Sequence, residues 1–153
     1  MAIEYLGNKT LLDVPKTAFL ASNNYGSKDV LRCYDWATET RDRGECVVSG
    51  FSSPLEQDIL PFLLKGTQPI IIVLARRMYQ QCPPKWQAAL DADRLLIVSV
   101  SQSPRQSKAT ALARNRYILE LCDKAVLVGI NKTSSLYELK QTFASKCIDI
   151  DKG

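Results

Sequence analysis

The chain has 153 residues, 46% hydrophobic and 24% charged. That composition excludes wholesale disorder and suits one globular domain with a real core. Twenty basic side chains against 16 acidic ones give a formal charge of +4, compatible with an anionic ligand but far from a histone-like tail.

Residues 1–16 carry neither the basic region nor the apolar run of a signal peptide and read as a lead-in segment. Five short apolar runs then follow, at 17–21 (TAFLA), 46–49 (CVVS), 69–75 (PIIIVLA), 94–100 (RLLIVSV) and 124–130 (KAVLVGI). Their brevity, β-branched content and polar flanks mark them as strands rather than helix fragments, and near-continuous apolarity is what strands covered on both faces require. Between and after them lie amphipathic stretches at 28–43, 54–65, 84–92, 107–122 and 134–144. Such alternation predicts a single α/β domain over 1–153. Its expected form is a Rossmann-like three-layer sandwich with a mainly parallel sheet of five or six strands covered by helices. Residues 145–153 read as a short tail, in which CIDI would make an edge strand.

The five cysteines, Cys33, Cys46, Cys82, Cys122 and Cys147, are scattered without a close pair, and the chain has no histidine. No zinc site, other metal site or disulfide framework is expected, and a reducing cytoplasm fits best. No stretch has the length of a membrane span, and no cofactor is expected.

In open α/β sheets ligands bind beyond the carboxyl ends of the strands, where loops meet helix N-termini whose free N–H groups favour anions. The loops there read SNNYGS, GFSSP, RRMYQQ, SQSPRQS and NKTSS. In SGFSSPLE, Ser53 and Glu56 form a capping box with Pro54 at the first helical position. The same start offers an anion cradle at Ser49, Gly50 and Ser52. Neither GxGxxG nor GxxxxGKS occurs, so kinase, NTPase and conventional NAD-dehydrogenase readings lose support. Arg76 and Arg77 end the longest strand, where guanidinium groups can grip phosphate or form a solvated surface pair. Thr133 or Ser134 caps the last helix or contacts a phosphate. Within ALARNRYILELC, Ala111, Asn115, Ile118 and Cys122 share one stripe, and Arg114 lies at its edge about 200° from Arg116. Asn115 then needs a hydrogen-bond partner, either a neighbouring loop or a ligand, and Arg114 is the better ligand candidate.

Taken in order, LASN…YG, VVSGFSSPLEQDIL, LLKGTQPIIIVLAR, RLLIVSV and ARNRYI resemble the Rossmann-like domain of the DNA-processing protein A (DprA/Smf) family, above all its short stand-alone relatives. The resemblance spans about residues 17–135. It implies that Ser49-Gly50 is the family's S-G turn, Arg76 its A-R position and Arg114-Asn115-Arg116 its R-N-R motif, all lining a groove for single-stranded DNA. In the wider superfamily the same groove takes nucleotide-like ligands. Asn23, after Ser22, stands where the family's first loop usually carries arginine, and Ser52 where short relatives often have histidine. The domains flanking the family's Rossmann core are not expected in this chain. The expected function is therefore a non-enzymatic protein that binds single-stranded DNA or a nucleotide-like ligand through Ser22, Asn23, Ser49, Gly50, Ser52, Arg76, Arg114, Asn115, Arg116, Thr133 and Ser134. Tyr25 and Phe51 are the aromatics placed to stack on bases. Two alternatives stand beside it. One is a phosphoribohydrolase-like enzyme acting on nucleoside monophosphates with Glu138 as its carboxylate; the other is an interaction or sensor protein with a vestigial site. A homo-oligomer stays open.

Overall fold

A computed structural model describes residues 3–150. Seven strands and five helices follow in chain order: β1 (Glu4–Gly7), β2 (Lys16–Ala21), α1 (Ser27–Asp42), β3 (Cys46–Ser49), α2 (Pro54–Leu64), β4 (Ile70–Leu74), α3 (Pro84–Asp91), β5 (Leu95–Ser99), α4 (Lys108–Leu121), β6 (Lys124–Val128), α5 (Tyr137–Thr142) and β7 (Cys147–Asp149). A 3-10 turn at Lys9–Asp13 joins β1 to β2. All seven strands form one sheet in the order β1-β5-β4-β3-β2-β6-β7. Every pairing is parallel except β1 with β5.

This is the expected Rossmann-like architecture, with the predicted strands and helices placed to within a few residues. The strand number differs. The described part of the lead-in contains β1, an edge strand running antiparallel to β5 with Glu4 opposite Ser99 and Gly7 opposite Leu96. Its four residues are mostly exposed and carry no apolar run, so only the pairing partner makes them a strand. At the other edge, the CIDI stretch pairs with β6 as expected, Ala125 facing Cys147. Residues 1–2 and 151–153 lie outside the described residues.

The strand runs are apolar throughout because each serves two cores. In β4, Ile70, Ile72 and Leu74 face one layer with Cys33 and Ala37 of α1, Leu55, Ile59 and Leu63 of α2, and Ala89 of α3. Ile71 and Val73 face the other, with Leu11, Ile118 and Leu119 of α4, and Leu139 of α5. Phe19 stacks on Trp36 with ring centroids 5.0 Å apart, seating α1 on β2. At the amino end of the sheet the buried Lys16 spends its ammonium on the carbonyls of Leu12 and Val14, at 2.8 and 2.6 Å.

The chain winds from β2 through β3 and β4 to β5 in one direction, then crosses back to place β6 on the opposite side of β2. The carboxyl ends of β2 and β6 thus flank the topological switch point, where open α/β sheets form their ligand crevice.

Candidate functional site

The switch point is spanned by backbone. Ser22 N donates to Val128 O at 3.0 Å, and Ser22 Oγ donates to the Gly129 carbonyl at 2.6 Å while accepting from Asn24 N at 3.1 Å. Gly129 has a φ of 67°, and a Cβ there would stand 2.2 Å from Asn24 O, so only glycine lets the two loops meet. Ser134 Oγ also donates to Gly129 O, at 3.3 Å, and accepts from Asn131 N. Asn131 Oδ1 accepts from both the backbone and the hydroxyl of Thr133, a self-bonded turn of the kind asparagine favours. Ser22 and Ser134 therefore converge on one carbonyl, and Asn23 is exposed beside them.

Beneath the next loop lies a buried polar cluster. Ser49, wholly buried, accepts through Oγ from Phe51 N at 3.1 Å. Glu56, from the first turn of α2, accepts from Ser52 N at 3.0 Å and Ser53 N at 3.3 Å through Oε1, and from Ala21 N at 3.0 Å through Oε2. One carboxylate thus caps its own helix and fixes the end of β2. Arg114, only 3% exposed, supplies the positive charge. Its Nε donates to Asn115 Oδ1 at 2.8 Å, Nη1 to Val73 O at 3.3 Å and Nη2 to Ser52 Oγ at 3.1 Å. Burial lowers the Arg114 pKa from its ordinary value, and the Glu56 charge pulls it back up; guanidinium nonetheless stays protonated at neutral pH.

The arrangement corrects the expected helix phase. The residues buried along α4 are Arg114, Ile118 and Leu119, and Asn115 sits beside them half-buried as an acceptor for Arg114. Arg114 is the interior bolt, not the edge residue. Arg116 points elsewhere: exposed, it lies 3.6 Å from Glu120 and its guanidinium carbon 5.8 Å from the Phe143 ring centroid. With Glu138 it lines a groove between α4 and α5. Phe51, expected in a stacking role, is 7% exposed and belongs to the core, held at a φ of 49°.

The solvent-facing groups of this edge come from other loops. Arg76, at the end of β4, donates through Nε to Arg77 O at 3.0 Å, and its guanidinium carbon lies 4.5 Å from the Tyr79 ring centroid. The root of that loop is pinned by Ser99 Oγ on Arg76 O at 2.6 Å and by Arg77 N on Ser103 O at 2.8 Å. Arg77, Arg105 and Lys132 are exposed. The carboxyl-edge loops, residues 22–26, 50–53, 75–83, 100–107 and 129–136, contain no Asp or Glu. Among the described residues no carboxylate forms an ion pair with Arg76, Arg77, Arg105 or Lys132, whereas Arg43 and Lys124, near the opposite end, pair with Glu45. Arg77 was expected beside Arg76, but Arg105 and Lys132 were not picked out by sequence reasoning, because a lone cation in a polar loop is ordinary; the signal was the shared absence of acids across all five loops. Among the described residues no group of three or more Cys, Asp or Glu is placed to hold a metal ion.

A doubly wound, mainly parallel sheet with helices on both faces defines a Rossmann-like α/β domain, here with a basic carboxyl edge. The chain belongs to the DNA recombination-mediator protein A family, whose family model matches residues 1–144. Its fold is similar to that of DNA processing protein A from Helicobacter pylori, with a TM-score of 0.74 at 20% identity over 96% of this chain and 70% of that one. It is equally similar to DprA from Streptococcus pneumoniae, at 0.74 and 19% over 96% of this chain and 53% of that one, so the chain spans about half the pneumococcal protein's length. A more distant likeness, at 0.58 and 14% over 88% of this chain and 75% of the other, is to the molybdenum cofactor binding protein of Rippkaea orientalis. No curated protein sequence matches the chain.

Proposed function

We propose that the chain binds single-stranded DNA across the loops at the carboxyl edge of its sheet, as a non-enzymatic member of its family. The observation that carries this reading is the set of cations without carboxylate partners among the described residues, Arg76, Arg77, Arg105 and Lys132, on a face whose loops hold no acid. Such a face concentrates a polyanion and binds it by counterion release. The solved Helicobacter pylori relative is described by its single-stranded DNA binding mode, which supports the same choice of ligand. The rest of the predicted set divides by role. Ser49, Gly50, Ser52, Arg114 and Asn115 build the floor that holds the loops, and Ser22, Thr133 and Ser134 fix their shape. Asn23 adds an exposed amide, and Arg116 extends the positive surface along α4.

A non-enzymatic role suits the chemistry of that face. The chain has no histidine, and the carboxylates at the roots of these loops are committed to backbone N–H groups, Glu56 to three and Asp29 to that of Gly26. A mononucleotide-like ligand is the second reading, favoured by the superfamily geometry but opposed by the Ser22–Gly129 contact across the switch point. Glu138 shares its groove with Arg116 on the α4–α5 side, an arrangement that gives the hydrolase alternative little support.

The test is anisotropy of a labelled thymidine oligonucleotide about twenty nucleotides long, titrated between about 50 and 200 mM salt. Binding should weaken steeply, with log K falling by about 0.7 per log unit of salt for each neutralised phosphate. No binding at low salt overturns the reading. A rise in melting temperature with nucleoside monophosphates but not with oligonucleotides selects the second reading, and base release abolished by Glu138→Gln selects the enzyme. A single domain, a cytoplasmic location and self-association belong to the same proposal; light scattering reports the last. No helix among the described residues is long and apolar enough to cross a membrane.

A further inference from the structure

Resting on the single-strand reading, we infer that the cleft formed by residues 76–81 is a nucleobase pocket, in which one base of the bound strand stacks on the guanidinium plane of Arg76, backed from beneath by Tyr79. The cleft is open to solvent, offers about 400 Å³, space for one base, and lies at the carboxyl end of β4, where Arg76 and Arg77 have no carboxylate partner among the described residues.

Its parts form a prebuilt stack. Tyr79 leans edge-on against Trp86, with ring centroids 5.8 Å apart and an interplanar angle of 70°. Arg76 lies over the Tyr79 ring at 4.5 Å with its Nε tethered to Arg77 O. The guanidinium is thus fixed on two sides while its Nη1 and Nη2 make no hydrogen bond among the described residues, and arginine planes of this kind are established stacking surfaces for unpaired bases. The loop root is held by Ser99 and Ser103, so little ordering remains to be done on binding.

The remaining lining distinguishes a base from a bare phosphate. A phosphate oxygen only accepts hydrogen bonds, and cations alone would serve it. Here Gln80 and Gln81 are exposed at the rim, and amides both donate and accept, as the edges of bases do. Met78 adds an apolar, polarisable wall, and exposed Arg77 stands ready for the adjoining phosphate.

The test compares an ordinary oligonucleotide with an abasic one of the same length and charge, by anisotropy. The protein should bind the abasic strand about tenfold more weakly, and Tyr79→Ala should lose about tenfold on the ordinary strand with no further loss on the abasic one. A second readout keeps Tyr79 in place: in Trp36→Phe protein with an unchanged circular-dichroism spectrum, whose single remaining tryptophan is Trp86, the ordinary strand should change the emission and the abasic strand should not. Equal affinity for the two strands with unchanged Trp86 emission overturns the pocket while leaving strand binding intact. Failure of both strands to bind overturns the pocket together with the strand reading.

Discussion

The guanidinium of Arg114 fills the space that a side chain at residue 50 would take. A Cβ built on Gly50 would stand 2.3 Å from Arg114 Nη1 and 2.5 Å from its Cζ. Gly50 has an ordinary φ, so its lack of a side chain answers to this neighbour and not to backbone strain. Gly50→Ala is therefore expected to lower stability by about 2 kcal/mol, as overpacking of a filled interior does. A reduced urea midpoint at unchanged slope would report it; an unchanged midpoint would mean that Arg114 swings aside without loss.

Removing the bolt should be worse than crowding it. Arg114→Ala leaves Glu56, 4% exposed, without its buried counter-charge, and a loss of about 3 kcal/mol is expected. Arg114→Lys should not restore it, because a point ammonium cannot serve Asn115, Val73 and Ser52 together as the planar fork does. Arg114→Met combined with Glu56→Gln should be less damaging than Arg114→Ala alone, which a double-mutant comparison of chemical melts would show.

Removing surface cations should act on ligand and leave the fold alone. Arg77→Ala, Arg105→Ala and Lys132→Ala are each expected to leave the thermal midpoint in place and to reduce the salt slope of oligonucleotide binding by about 0.7. Arg43→Ala, beside Glu45 near the opposite end of the sheet, should leave that slope unchanged. Equal effects from the two ends would show that binding is not confined to the carboxyl edge.

Stability should also depend on alkaline pH. Burial pushes the Cys46 thiol up to about 12 and the Cys122 thiol to about 11, and burial together with Tyr5 pushes Tyr117 to about 12. Each group is neutral when protonated, and its folded pKa lies above its unfolded one, near 8.5 for the thiols and 10 for tyrosine, so ionisation favours the unfolded chain. These contributions are fully present below about pH 8.5 and are lost as pH rises towards 12. Denaturant midpoints at stepped pH should be flat with respect to these groups at neutral pH and fall through the alkaline range, and Cys46→Ala should flatten part of the fall.

Much of the architecture was legible because a strand buried on both faces must be apolar at every position. IIIVL and LLIVS are near-continuously apolar because the sheet buries them on both faces. The start of α2 was readable in part: Pro54 at the first helical position and Glu56, which accepts from Ser52 N and Ser53 N, answer the needs of free N–H groups, whereas the Ser53 hydroxyl makes no capping hydrogen bond among the described residues. β1 was hidden for the opposite reason. Glu4–Gly7 has no core face of its own and becomes a strand only because β5 offers an unpaired edge.

The arginine pair of ARNRY marks the division most clearly. Helical periodicity determined from sequence alone that Arg114 and Arg116 diverge, because 100° per residue holds wherever the helix sits. It could not determine which of Arg114 and Asn115 turns inward. That depends on the absolute rotation of α4, which tertiary packing decided through the empty space at Gly50, the carbonyl of Val73 and the charge of Glu56. The basic face was decided in the same way. The Arg76–Arg77 pair, Arg105 and Lys132 are far apart in the chain, and only the parallel strands, which deliver their carboxyl ends to one edge, place them on a common surface.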